Sequence, residues 1–293
     1  MDLGDGGHVP AVASRARTHA ERLASRDGYF SPESVIRRIG NSPVTPFLGG
    51  GPAVLLQVAH PLVAAGVVQH SDFRRDLWRR LVRTLRALYL IAFGTKAEAE
   101  RAGEIVRAVH THVEGTTETR LGRFPAGTHY SASDPELMLW VHATLVHASL
   151  EVYERYVEKL SSEDEERYYR EMAVVARLFG MPSSVIPRSL AGFREYLTAE
   201  LAGPTLSVTE PAREVGAVIF EADLPVPMRV LVPAHRLATA GLLPPRLREE
   251  YGLRWTPLHE YALPLAARSL RAVTTPVLSA AARVAPLPEL QAA

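Results

Sequence analysis

No cysteine occurs anywhere in the 293 residues. That absence excludes disulfides, iron–sulfur clusters, thiolate-ligated haem, covalent haem attachment through CxxCH, cysteine-bearing zinc sites and a cysteine nucleophile. Any metal must therefore be held by histidine or carboxylate. Lysine is almost missing as well: Lys96 and Lys159 are the two, and arginine supplies the other basic groups. The 33 basic side chains face 32 acidic ones, with no basic tail and no stripe of interleaved aromatics, so nucleic acid is not an expected partner. The N-terminus, MDLGDGGHVPAVASRARTHAERL, lacks a basic start followed by an apolar core. No secretory signal is expected, and a cytoplasmic location is the default.

Charge is absent from one long run. Pro43 to Ser71 contains no Asp, Glu, Lys or Arg, and its length alone would allow a membrane span. Pro46, Pro52, Pro61, Gln57, His60 and the glycines at 49, 50 and 51 argue instead for a buried core helix, so a membrane partner is not expected. Gly49-Gly50-Gly51-Pro52 reads as a turn. HExxH, paired DxD, ExxH repeats, GxSxG, a P-loop and GxGxxG are also missing, which argues against zincin, di-iron bundle, hydrolase and nucleotide chemistry.

What remains is a helical chain. A hydrophobic share of 47% supports a sizeable core, and no alternation of period two is sustained. The expectation is one all-α domain over residues 30–285, a helical bundle, after a poorly ordered segment at 1–29 that holds an amphipathic piece near ASRARTHAERL. Ser31-Pro32-Glu33-Ser34 opens a short helix that ends at Gly40. Residues 53–69 are apolar on nearly every face, which marks a central helix kinked at Pro61. Asp72 begins the next helix and Gly94 ends it, with Leu77, Leu81, Thr84, Leu88 and Ile91 on the inward face. A third helix runs from Lys96 to Val113, with an inward stripe of Ala102, Ile105, Val106, Val109 and Val113. After a loop at 116–133, Ser133-Asp134-Pro135-Glu136 opens a second core helix. Further helices are expected at 163–180, 188–202, 209–221, 226–240 and 257–284.

Histidine is the chemical signal. His112, His142 and His147 read as hydrogen-bonded core residues, and His8, His129, His235 and His259 as surface ones. His110 stands at the edge of its helical stripe, with Gly103 two turns away leaving room for a flat ring. Arg80, Arg83 and Thr84 share one turn of the neighbouring helix. A noncovalent haem needs such a set: one helix-borne imidazole, an apolar slot and cations for the propionates. Periodicity does not choose between His110 and His112 as ligand.

The segments LLQVAHPLVAAGVVQHSDF, RRLVRTLRALYLIAFGTKAEAE and VRAVHTHVEG, followed by YSASDPELMLWVHATLV, YYREMAVVARLFGMP and LPPRLREEYGLRW, resemble the family of ER-bound MpaB-type oxygenases and bacterial latex-clearing rubber oxygenases. The resemblance spans roughly residues 30–280. It implies an all-α, globin-like core holding haem b (iron) through an axial histidine in a VRxxH segment, which matches Val106 to His110. Arg80, Arg83 and Thr84 fit a polar trio that the rubber-cleaving branch places near the haem, with Arg83 standing where that branch has lysine. The distal carboxylate of that branch has no counterpart between Pro43 and Ser71, so rubber cleavage is not implied. His60 is the local substitute on the distal side, as hydrogen-bond donor or base. The expected function is an oxygenase-type oxidoreductase acting on an apolar or aromatic small molecule with O2 or peroxide. The alternative is a noncatalytic haem carrier or a gas or redox sensor.

Overall fold

The computed structural model describes residues 18–70, 73–221 and 232–281. Among them are thirteen helices and one two-stranded hairpin, so the all-α expectation holds with a single small exception. The core is built on two helices, α3 (Val44–Val58) and α7 (Pro135–Tyr156). α7 starts where Asp134 accepts from the backbone N–H groups of Glu136 and Leu137 and Pro135 occupies the first turn. α3 is apolar all round because other helices surround it. Leu55, Leu56 and Val58 are fully buried, each worth about 1.5–3 kcal/mol in apolar burial.

The glycines at 49, 50 and 51 do not form the expected turn; they lie inside α3. Packing explains them better than conformational freedom does. A Cβ on Gly51 would stand 2.9 Å from Thr239 Oγ1 of α11 (Val232–Gly241). α3 stops at Val58, and α4 (Pro61–His70) leaves at 106° to it, a sharper break than a proline kink in one helix. Donors from other elements also reach the carbonyls at this end of α3. Trp140 Nε1 donates to Leu56 O and Gln57 O, Tyr251 Oη to Leu55 O at 2.7 Å, and the Ser207 backbone N–H to Ala59 O. No single described helix is long and apolar enough to cross a membrane; α3 and α4 pass only as this bent pair.

α1 (His19–Ala24) carries a Thr18–Glu21 capping box and is tied to the body through Arg22, which donates to both carboxylate oxygens of Glu98. Arg37 of α2 (Val35–Gly40) is almost fully buried without an acidic partner among the described residues; it donates instead to the carbonyls of Ala92 and Ser25, both at 2.8 Å. α5 (Phe73–Phe93) and α6 (Lys96–His110) follow as a helical hairpin, and a Thr95–Glu98 capping box starts α6. The loop expected at 116–133 begins at the end of β1 (Glu114–Thr116) and contains β2 (His129–Ser131), which pair antiparallel in the register Gly115 to Tyr130. Strands of three residues are too short to show alternation.

The second half follows its caps. Ser161 starts α8 (Ser162–Leu178), whose first turn holds Glu163, Asp164 and Glu165, and Ser189 starts α9 (Leu190–Ala202). α10 (Glu210–Glu221), α11 and α13 (Pro257–Ala281) complete the bundle. Residues 226–231 of one expected helix lie outside the described residues, as does His8. α12 (Pro245–Glu250) was not anticipated. Its side chains knit the fold: Arg246 donates to Leu201 O and Leu206 O, and Glu250 accepts from Val208 N at 2.7 Å.

Candidate functional site

α5 and α6 are joined by one turn at Gly94 and run back along each other. A rise of 1.5 Å per residue puts Arg80 level with the end of α6, about 20 Å from that turn. Among the described side chains of α5, from Val82 onward, the buried ones are in the last turn, at Ile91, Ala92 and Phe93. Thr84 is exposed rather than inward, Arg83 is exposed beside it, and the side chain of Arg80 lies outside the described residues.

α6 presents two different faces. Ala99, Ala102 and Gly103 are buried. The expected inward stripe is half wrong, because Ile105 is 60% and Val109 55% exposed. These two side chains, with Ala108, His112, Val113 and His70 at the end of α4, line an open cleft of about 480 Å³. Large apolar groups left uncovered on a helix are the informative exception in a soluble fold. Gly103 does not face this cleft. A Cβ there would lie 2.5 Å from Leu178 O, so the glycine serves the crossing of α6 over the end of α8.

His110 is the last residue of α6 and is half-buried. Seven residues after Gly103, it falls on the same side of the helix as that buried glycine, and it is not among the residues that line the cleft. His112 is exposed, not a core residue: its Nδ1 lies 2.7 Å from Ala108 O, and the residue stands on the rim of the cleft. The opposite rim is His70, which meets Tyr130 edge-on at 6.1 Å between ring centroids. Tyr130 is buried beneath the hairpin and donates its hydroxyl to Gln69 Oε1. His70, Gln69 and Tyr130 were not candidates from the sequence, since nothing there joins a short strand to the end of α4.

His60 occupies the α3–α4 break and is not among the residues lining the cleft. It accepts the Leu62 backbone N–H through Nδ1 at 3.3 Å, capping the first turn of α4 as a serine or aspartate would. Burial pushes its pKa down to about 4, with partial opposition from the Asp134 carboxylate. A neutral ring with Nδ1 as acceptor carries its proton on Nε2. His142 is buried as expected, yet neither ring nitrogen has a hydrogen-bond partner among the described residues. His235 is not a surface residue; it is half-buried against the Phe47 ring at 5.5 Å, and burial lowers its pKa. His259 stacks on Trp255.

Among the described residues, no three His, Asp or Glu side chains converge to hold a metal ion. A haem needs a single protein nitrogen and an apolar wall. The last two turns of α6 carry the uncovered Ile105 and Val109 on one side and the His110 imidazole on another, so the residues present fit such a cofactor in kind.

Residues 37–274 match the family described as the catalytic domain of the ER-bound oxygenase mpaB/B′ and rubber oxygenase. An uncharacterised protein of Mycobacterium tuberculosis and another of Mycobacterium bovis are each 27% identical over 209 residues, covering 69% of this chain and 78% of theirs. No solved structure matches. The match takes in both helices that line the cleft and the hairpin next to it, and the chain belongs to the MpaB and rubber oxygenase catalytic-domain family, which supports an oxygenase-type function.

Proposed function

We propose that this protein is a haem b-dependent oxidoreductase that acts on an apolar or aromatic small molecule with O2 or peroxide. The observation that carries the reading is the uncovered apolar face of the last two turns of α6, the turns that end in His110, in a chain of an oxygenase family. When bound, haem supplies a redox-active iron able to activate oxygen or peroxide. His110 holds that iron, with His112 left on the rim. Arg80, Arg83 and Thr84, on the helix alongside, bind the carboxylates of the cofactor through charge-assisted hydrogen bonds. Ile105, Val109 and Val113 keep water from the ring and offer an apolar surface to the substrate. His60, at the α3–α4 break, would hold a proton at Nε2 for the reaction, kept neutral by burial near pH 7.

Oxygen uptake by the haem-loaded protein, screened against unsaturated and aromatic apolar compounds, tests this reading. At least one compound is expected to stimulate uptake, and His110→Ala to abolish it. Haem-loaded wild type that consumes neither O2 nor peroxide with any of them would make the protein a haem carrier or sensor instead.

A further inference from the structure

We infer that Arg107 is the positioning residue for His110, acting through the C-terminal end of α8. The inference rests on the reading of His110 as a ligand, and it adds a group for which that reading gives no role. Arg107 stands three residues before His110, on the last turn of α6. Its Nη1 donates to Leu178 O, one of the carbonyls left without a helical partner where α8 ends. A cation at this end also meets the negative pole of the α8 dipole. Its backbone carbonyl accepts the N–H of Thr111, which closes the turn that carries His110. One residue therefore fixes that turn both along the helix and against its neighbour.

Two glycines make the contact possible. A Cβ on Gly180 would lie 2.8 Å from Arg107 Cδ, and Gly180 has φ +92°, a conformation that also disfavours any side chain. Gly103, one turn before Arg107, lets the α6 backbone come down on the same Leu178 carbonyl, which a Cβ would meet at 2.5 Å. His110, seven residues after Gly103, falls on this α8-facing side of the helix, whereas Ile105 and Val109 on the other side are exposed in the cleft. The orientation of the imidazole depends on the α8 side of the helix, and Arg107 is its polar anchor.

The test uses Arg107→Ala and Arg107→Lys in the full chain, read in two ways. Histidine-selective NMR of the protein without haem, with His110 assigned through His110→Gln, reports ring placement directly. Arg107→Ala should displace the His110 ring signals and leave those of His142 unchanged, and Arg107→Lys should restore them. Haemin titration should show the dissociation constant raised roughly tenfold in the alanine variant, as for other groups that orient a metal ligand, and most of that loss recovered by lysine. Unmoved His110 signals in Arg107→Ala, with only a lower melting temperature, would reduce Arg107 to a packing contact and overturn the inference. Wild type that binds no haemin would sink the haem reading, and the NMR arm would still decide whether Arg107 orients His110.

Discussion

His142 makes the fold sensitive to acid, and the size of the effect can be worked out. Its ring is buried on α7 with both nitrogens lacking a hydrogen-bond partner among the described residues, and burial alone pushes its pKa down from 6.5 to about 4. His60 is pushed to about 4 as well. The folded state holds both rings neutral, whereas the unfolded chain takes up a proton at each near pH 6.5. Stability is therefore full above about pH 6.5, falls as pH drops towards 4, and levels off below that. The slope is about 1.4 kcal/mol per pH unit for each proton. Between pH 7 and 4.5 each histidine removes on the order of 2–3 kcal/mol, and the pair together a large share of the 5–15 kcal/mol typical of a domain. His142→Leu removes one titration and two unpaired nitrogens. It should match or exceed wild type at pH 7, by up to about 2 kcal/mol, and lose roughly half as much on acidification. Urea unfolding followed by circular dichroism at pH 7, 6, 5 and 4.5 measures this. Parallel curves for variant and wild type would refute the assignment of the acid loss to His142.

Arg37→Ala should cost about 3 kcal/mol or more, because two charge-assisted bonds to Ala92 O and Ser25 O disappear and those carbonyls lose a donor; a thermal melt unchanged within error would count against the clamp. Gly51→Ala should cost about 1–3 kcal/mol through the clash with Thr239 Oγ1, and the double variant with Thr239→Ser should not recover it fully, since the Oγ1 remains. Hydrogen bonding to Arg22 holds Glu98 down to about 2, so its contribution is present above about pH 4.5 and lost as pH falls towards 2. In a double-mutant cycle at pH 7, Arg22→Ala and Glu98→Gln should show a favourable coupling that shrinks in 1 M salt; a coupling of zero would mean that α1 docks without this pair.

Much of the helical plan is written in local chemistry. Asp134-Pro135, the Thr95–Glu98 box and Ser161 ahead of three acids each mark a helix start that the structure uses. Periodicity was less informative about α6. Ile105 and Val109 recur at helical spacing whether they face a core or an open cleft, so the pattern shows that they share a side but not what covers it. The glycine run inside α3 misled for a related reason: close contact with Thr239 of a distant helix selects glycine as strongly as a turn does. His60 was legible as unusual, but its use as the cap of α4 depends on the 106° break, which no proline pattern specifies. Arg107 and Leu178 are 71 residues apart, and no local signal pairs them. His110 itself entered through a VRxxH resemblance, and the structure adds its position at the end of α6, on the side of the buried Gly103.

The most direct test of the central claim is the absorption spectrum and iron content of the purified protein after loading with haemin. Wild type should carry one haem per chain with a Soret band, His112→Ala should keep it, and His110→Ala should lose most of it. Full haem in His110→Ala with loss in His112→Ala would move the ligand to the rim of the cleft. Wild type with no Soret band and no iron would contradict the account.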